Sequence, residues 1–90
     1  MKFTEFLNEA KERYTLVAFI DLNKDDDKDV KSALKDNDDK ELIKLLINNY
    51  EVENEKVESL EKLNIKNFKY KEYHAQYNDV VNTISLYEVN

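Results

Sequence analysis

Apolar residues recur every three or four positions along most of this chain, which is the spacing of one helix face. At the start, Phe6, Leu7, Ala10 and Tyr14 follow Thr4 in this rhythm. Because threonine accepts hydrogen bonds from the free N–H groups of a first turn, the order predicts a helix with Thr4 near its N-cap.

The rest of the chain shows four more segments with helical spacing. Val30 and Ala33 predict a short helix, and aspartates precede it where they can cap its N-terminus. Residues 41–50 carry the clearest amphipathic pattern, and residues 53–63 carry a weaker one. Over residues 68–86, tyrosines and β-branched residues again step by three and four.

Two segments leave an alternative open. Residues 16–20 are continuously apolar, as in a buried strand, although the spacing of the first helix also runs through them. The tail can instead form a hairpin that turns at Asn78 and Asp79. Together the patterns predict one mainly α domain over residues 1–90, with about four or five helices. The alternative is an α+β domain with a short strand at residues 15–21.

Composition excludes several classes of protein. The 90 residues include no glycine, proline or cysteine, which excludes a Gly-rich phosphate loop, a nucleophile elbow, a disulfide and a thiolate metal site. The single histidine, His74, has no partner at a recognised catalytic or metal-binding spacing. We therefore expect a protein that is not an enzyme and that uses no cofactor and no metal. No segment has the length of a signal peptide or membrane span, so a cytoplasmic location is expected.

Negative charge is the strongest indication of function. The net charge is −6, with nine carboxylates in residues 21–41 and five in residues 51–61. Such a chain repels DNA, RNA and anionic membranes, so we expect it to bind neither nucleic acid nor membrane directly. It attracts basic surfaces, and nucleic-acid-binding proteins present many of these. The sequence gives no oligomeric state.

This charge predicts nucleic-acid mimicry, in which carboxylates replace phosphates in a basic groove. The expected function is non-enzymatic inhibition of a basic protein that handles nucleic acid. Reversing Asp25, Asp26 and Asp27 to lysine should then weaken binding without unfolding the domain. The predicted acidic contact residues are Asp25, Asp26, Asp27, Asp29, Asp36, Asp38, Asp39, Glu51, Glu53 and Glu55.

The charged residues have other interpretations. Acidic runs commonly solvate a surface or cap helices. Asp21, Asn23 and Asp25 match the first ligands of a calcium loop, but Ser32 stands where a closing glutamate is required. Residues 62–74 have a net charge of +3 and contain interleaved aromatics, a mixture that can stack on bases. We expect instead that these aromatics face the core and that the lysines pair with the acidic surface.

Tyrosine content supports an alternative function. A small core does not need all six tyrosines, and tyrosine gives a large contact area at low entropic cost. Tyr73 and Tyr77, on either side of His74, are the predicted anchors. In this alternative the chain is a structural or regulatory interaction module, or a homo-oligomer, whose binding is insensitive to salt.

The two ends of the chain also carry a family resemblance. The opening pattern is Met1-x-Phe3-x-Glu5-Phe6-Leu7-x-Glu9-x-Lys11 with Tyr14-Thr15-Leu16, and the closing pattern is Tyr77-Asn78-Asp79 with Thr83-Ile84-Ser85-Leu86. These patterns resemble the Cas9-inhibiting anti-CRISPR proteins encoded by prophages, and more broadly small acidic phage inhibitors of restriction or CRISPR enzymes. The resemblance implies an acidic α/β protein that occupies a DNA-binding groove of its target in the host cytoplasm. The middle of the chain lacks the glycine-bearing turns of that family.

Overall fold

A computed structural model describes residues 14–57 and 65–89 of the chain, except for the side chains of residues 54–56. These ranges form a two-layer α/β domain in which two helices lie on one five-stranded antiparallel sheet of strand order β2-β1-β5-β4-β3. In chain order the elements are β1 (Tyr14–Asp21), α1 (Lys28–Lys35), α2 (Asp39–Asn49), β2 (Glu51–Val57), β3 (Ile65–Tyr70), β4 (Tyr73–Asn78) and β5 (Thr83–Val89).

The core lies between the helices and one face of the sheet. Leu42, Ile43 and Leu46 of α2 are fully buried, and burial of such a side chain contributes about 1.5–3 kcal/mol. Ala18 and Ile20 of β1 belong to the same buried cluster. The other strand residues in this cluster are Phe68, Ala75, Ile84 and Leu86. Because strand residues alternate between faces, the intervening residues point away from the helices.

The prediction of a mainly α, helical protein is wrong, because the second part of the described chain is sheet. Tyr70 and Tyr73 flank a two-residue turn and pair across the β3–β4 hairpin. Their spacing of three therefore comes from the turn and not from a helix. Tyr73 and Tyr77 lie on the same face of β4. Residues four apart share a face in a strand as well as in a helix, so this spacing does not distinguish the two.

Other predicted elements have mixed outcomes. The helix predicted over residues 53–63 is wrong where the structure describes it, because Glu51–Val57 is the strand β2. The alternative strand at residues 15–21 is present as β1, and the helices predicted around Val30 and over residues 41–50 are present as α1 and α2. The first predicted helix lies outside the described residues. The competing hairpin at Asn78 and Asp79 is correct, since these residues lie where β4 turns into β5.

Tight turns form here without glycine. Asn37, Lys71 and Asn82 have φ angles of 56°, 55° and 59°, in the left-handed region that glycine adopts most readily. Asparagine tolerates this region better than most residues. Lys71 is the first of the two residues in the β3–β4 turn, where hairpin turns require a positive φ. No helix in the described ranges is long and apolar enough to cross a membrane.

Candidate interaction site

Asp27 caps α1 and ties it to the end of α2. Its Oδ1 accepts hydrogen bonds from the backbone N–H groups of Asp29 (2.9 Å) and Val30 (3.1 Å), which a first turn leaves without internal acceptors. Its Oδ2 accepts a hydrogen bond from the Tyr50 hydroxyl at 2.5 Å. Asp27 therefore supports the fold, and its reversal to lysine should destabilise the domain, unlike the reversal of an ordinary surface charge.

The bond between Tyr50 and Asp27 also changes how both groups titrate. The Tyr50 hydroxyl lowers the pKa of the Asp27 carboxyl, and the two backbone N–H groups add to this effect against the opposing effect of burial. The same bond raises the pKa of Tyr50 to about 12, together with burial and the charges of Asp27 and Asp25. Each group thus stabilises the protonation state that keeps the bond at neutral pH.

Asp38 and Asp39 also make bonds within the fold. Asp38 is the N-cap of α2 and accepts a hydrogen bond from the Glu41 N–H at 3.2 Å. Asp39 accepts one from the backbone N–H of Lys69 at 2.9 Å. Because β3 is an edge strand, this bond satisfies an N–H group that the sheet leaves unpaired. Both aspartates were predicted as contact charges, and both connect or cap elements.

Exposed acids lie at both ends of α1. We name Asp25, Asp26 and Asp29 the acidic loop; all three are exposed at the N-terminal end of α1. Asp26 forms a surface ion pair with Lys31, a kind of pair that contributes about 0–1 kcal/mol. Asp36 is exposed at the other end of this eight-residue helix, about 12 Å away. The exposed lysines of the helix are Lys28, Lys31 and Lys35, so the acids do not form one uninterrupted face.

A second acidic site is a cleft of about 160 Å³ between α2 and the sheet. It is lined by Val17, Ile47, Glu51, Tyr73 and Glu88, and we name this site the acidic cleft. Each residue comes from a different element, so the cleft exists only in the folded domain. Val17 lies where the pairing of β1 shifts register, and such a bulge redirects a side chain.

The acidic cleft brings together two predicted contact residues, Glu51 and Tyr73, and adds Glu88. Tyr73 and Glu88 are opposite each other on β4 and β5. Burial raises the pKa of Tyr73, and the negative charges of Glu88, Glu72 and Glu51 raise it further. Within the described part of the chain, the carboxylates of Glu51 and Glu88 have no hydrogen bond or ion pair.

Glu88 was missed because the tail was predicted as a helix. In a strand, Glu88 has the same parity as Ile84 and Leu86, which are buried beneath the helices. That alternation is the signal by which the sequence could have placed Glu88 on the helix-covered face. Of the other predicted acids, Glu53 is exposed on β2, and the side chain of Glu55 lies outside the described part of the structure.

Tyr77 has an internal role. It packs against the core, and its hydroxyl donates to Asn82 Oδ1 at 2.8 Å. Asn82 donates to Asn23 Oδ1 at 3.3 Å, and Asn23 donates to the Val81 carbonyl at 2.8 Å. This series of bonds holds the β4–β5 turn against the β1–α1 loop and uses Asn23, one of the residues that match a calcium loop. Within the described ranges, no group of three or more His, Cys, Asp or Glu residues could hold a metal ion.

The aromatic residues of the basic segment face the core, as the sequence indicates. Phe68 is buried, and Tyr70 and Tyr73 pack against the core. Lys66 Nζ lies 5.5 Å from the centre of the Phe68 ring, and Lys71 Nζ lies 5.2 Å from that of Tyr70. Lys66 and Lys71 therefore lie near aromatic rings, and the expected ion pairs with the acidic surface are not seen among the described residues.

The sheet face opposite the helices carries an uncharged groove of about 210 Å³. None of its lining residues is charged, although 38% of the chain is charged. Phe19 and Val81 remain 41% and 50% exposed there. Depletion of charge is typical of the centre of a protein interface. The lining residues are Phe19, Ile65, Gln76, Asn78, Val81, Thr83, Ser85 and Tyr87.

Comparison with known protein families, with curated proteins and with solved structures gives no match to this chain. A functional proposal therefore depends on the acidic loop, the acidic cleft and the uncharged groove.

Proposed function

We propose that this chain is a non-enzymatic inhibitor that binds a basic, nucleic-acid-handling protein and competes with the nucleic acid. One observation carries the proposal: Tyr50 joins the two acidic sites into one unit. Its hydroxyl bonds to Asp27, which lies within the span of the acidic loop. The next residue, Glu51, lines the acidic cleft. The backbone segments that carry the two acidic sites are thus connected through Tyr50, so that both sites can face one partner.

Elementary electrostatics explains how such a surface would act. Exposed carboxylates steer a basic partner into contact and raise the association rate, and salt screens this attraction over about 8–10 Å. The same charges repel nucleic acid. The inhibitor would therefore occupy the basic groove of its partner and exclude the partner's own ligand.

The resemblance of the chain ends to Cas9-inhibiting anti-CRISPR proteins supports a CRISPR effector as one class of target. That class would be met in the cytoplasm of a bacterial host. Nucleases and restriction enzymes present similar basic grooves and are the other classes that we propose.

A pull-down from bacterial lysate tests this function. The immobilised chain is incubated with lysate, and bound proteins are eluted first with duplex DNA at constant ionic strength and then with high salt. We expect mass spectrometry to identify a nucleic-acid-handling protein in the DNA eluate. Retention only of proteins that resist both elutions would contradict the proposal.

The uncharged groove favours one alternative, a homo-oligomer. Two copies of a chain with net charge −6 repel each other over charged surfaces, whereas a groove without charge allows their approach. Tyr87 lines this groove, so it replaces the predicted anchors Tyr73 and Tyr77 in this alternative. Light scattering should then give the mass of a dimer, lost in Val81→Lys but kept in Val80→Lys, because Val80 is exposed beside the groove without lining it. A monomer at all concentrations would exclude this alternative.

A further inference from the structure

We infer that the acidic cleft is a socket for an arginine side chain of the partner protein. This inference rests on the proposed function, because it specifies one group by which a basic partner would be held. Three properties of the cleft fit an arginine: its carboxylates, its walls and its size.

The carboxylates provide the charge and the hydrogen-bond acceptors. Glu51 reaches the cleft from the start of β2, and Glu88 reaches it from the end of β5. Neither has an ion pair or hydrogen bond in the described part of the chain, and Glu88 is half-buried. A half-buried carboxylate gains from a cation that donates hydrogen bonds to it. A guanidinium presents five N–H donors in one plane and can serve two carboxylates at once.

The walls fit the rest of an arginine side chain. Val17 and Ile47 offer aliphatic surface, against which the methylene stem of an arginine packs. Tyr73 offers an aromatic ring, on which a guanidinium stacks more favourably than an ammonium does. Burial and the charges of Glu88, Glu72 and Glu51 raise the pKa of Tyr73, so its hydroxyl lies near carboxylates.

The volume of the cleft excludes larger groups, its few oxygen ligands exclude calcium, and its geometry favours arginine over lysine. A cleft of about 160 Å³ admits one side chain but not a helix or a base pair. A calcium ion requires six to eight oxygen ligands, and no group of three or more metal-binding side chains exists in the described ranges. A lysine would satisfy the charge, but it lacks the planar fork for two carboxylates and the flat surface for Tyr73.

A titration with single blocked amino acids tests the socket on the full chain. The probes are N-acetyl-arginine N-methylamide and its lysine and citrulline analogues, followed by ¹⁵N NMR. We expect the arginine probe to bind at millimolar concentration and to shift the amides of Val17, Tyr73 and Glu88. We expect the lysine probe to bind at least about threefold more weakly, and the uncharged citrulline probe not to bind.

Matched variants separate the socket from general negative charge. Glu88→Gln and Glu51→Gln should each weaken binding of the arginine probe by about fivefold. Glu53→Gln removes the same charge from the same strand as Glu51 but outside the cleft, and it should change binding by less than about twofold. Tyr73→Phe keeps the ring and should retain binding, whereas Tyr73→Leu should lose selectivity for arginine over lysine. Thermal unfolding of each variant verifies that it is folded.

Two results would overturn the socket. One is equal binding of the arginine and lysine probes with equal effects of Glu53→Gln and Glu88→Gln, which would mean unspecific attraction. The other is a set of shifted amides in the acidic loop instead of the cleft. Neither result would remove the proposed function, since a basic partner can bind without an arginine socket. Conversely, arginine binding in the cleft with no DNA-released protein in the pull-down would contradict the proposed function alone.

Discussion

Asp27 differs from its acidic neighbours in the hydrogen bonds that its carboxylate accepts. Asp27 lies in sequence between members of the acidic loop, yet its carboxylate accepts three hydrogen bonds. Its neighbours Asp25 and Asp26 remain exposed. In an acidic run, composition does not distinguish a capping carboxylate from a solvated one, because both are aspartates with the same local spacing. The hydrogen-bond partners make the distinction.

A double-mutant cycle at Asp27 and Tyr50 measures their coupling. Tyr50→Phe should lower the free energy of unfolding by about 1.5–3 kcal/mol, because it removes one hydrogen bond to a charged acceptor. Asp27→Ala should lower the free energy of unfolding by about 1–2 kcal/mol more than Tyr50→Phe does, because it also removes the N-cap of α1. Chemical denaturation of the two single variants and the double variant gives the coupling energy. Strictly additive costs would show that the bond between them contributes nothing.

The pH dependence of stability should carry two signatures of this pair. The folded pKa of Asp27 is lowered, so its contribution is present above the unfolded pKa of about 4 and is lost as pH falls through the folded pKa. The folded pKa of Tyr50 is raised from 10.0 to about 12, so its contribution is complete below pH 10 and is lost as pH rises toward 12. The stability difference between the parent and Tyr50→Phe should therefore shrink over this alkaline window. A difference that stays constant to pH 12 would contradict the raised pKa.

At the scale of elements, the hairpins decide the fold class. Helix α2 was predictable because its apolar face repeats over several turns, and β1 because its apolar run is short and β-branched. The β3–β4 hairpin was not, because its turn contains neither glycine nor proline, the usual signals. The β4–β5 hairpin was predicted at Asn78 and Asp79, but only as the alternative to a helix. The turn places Lys71 at a positive φ, and a lysine at this position does not indicate a turn in the sequence. The acidic cleft was not predicted, because it depends on the β4–β5 hairpin that places Tyr73 opposite Glu88.

Replacing Lys71 by glycine tests the cost of this turn. Lys71→Gly should raise the free energy of unfolding by about 0.5–1 kcal/mol, because relief of the left-handed backbone exceeds the added entropy of the unfolded chain. The matched control is Lys69→Gly, a glycine in the strand of the same hairpin, which should lower it by about 0.5–1 kcal/mol. Urea denaturation compares both with the parent. Destabilisation by Lys71→Gly would show that the contact of Lys71 with Tyr70 outweighs the backbone term.

At the scale of the whole molecule, residues 14–57 and 65–89 form an acidic side, a basic sheet edge and an uncharged groove. The acidic loop and the acidic cleft lie on the helix-covered side and are joined through Tyr50. The basic strand β3 forms an edge of the sheet, and the far face carries the uncharged groove. The net charge of −6 alone does not predict this arrangement. Exposed lysines separate the acids along α1, and a sum of charges does not show this separation. Among the described residues, the proposed mimicry of phosphates would depend on two acidic sites, the acidic loop and the acidic cleft.

The salt dependence of binding tests the central proposal most directly. The partner recovered from the DNA eluate is titrated with the parent, with Asp25→Lys in the acidic loop, and with Asp79→Lys, the same charge change at an exposed turn between β4 and β5. We predict that affinity for the parent falls by at least about tenfold between ~50 and 200 mM salt. Asp25→Lys should weaken binding by about threefold or more, and Asp79→Lys should change it far less. An affinity that is flat with salt and equal for all three chains would contradict binding through the acidic surface.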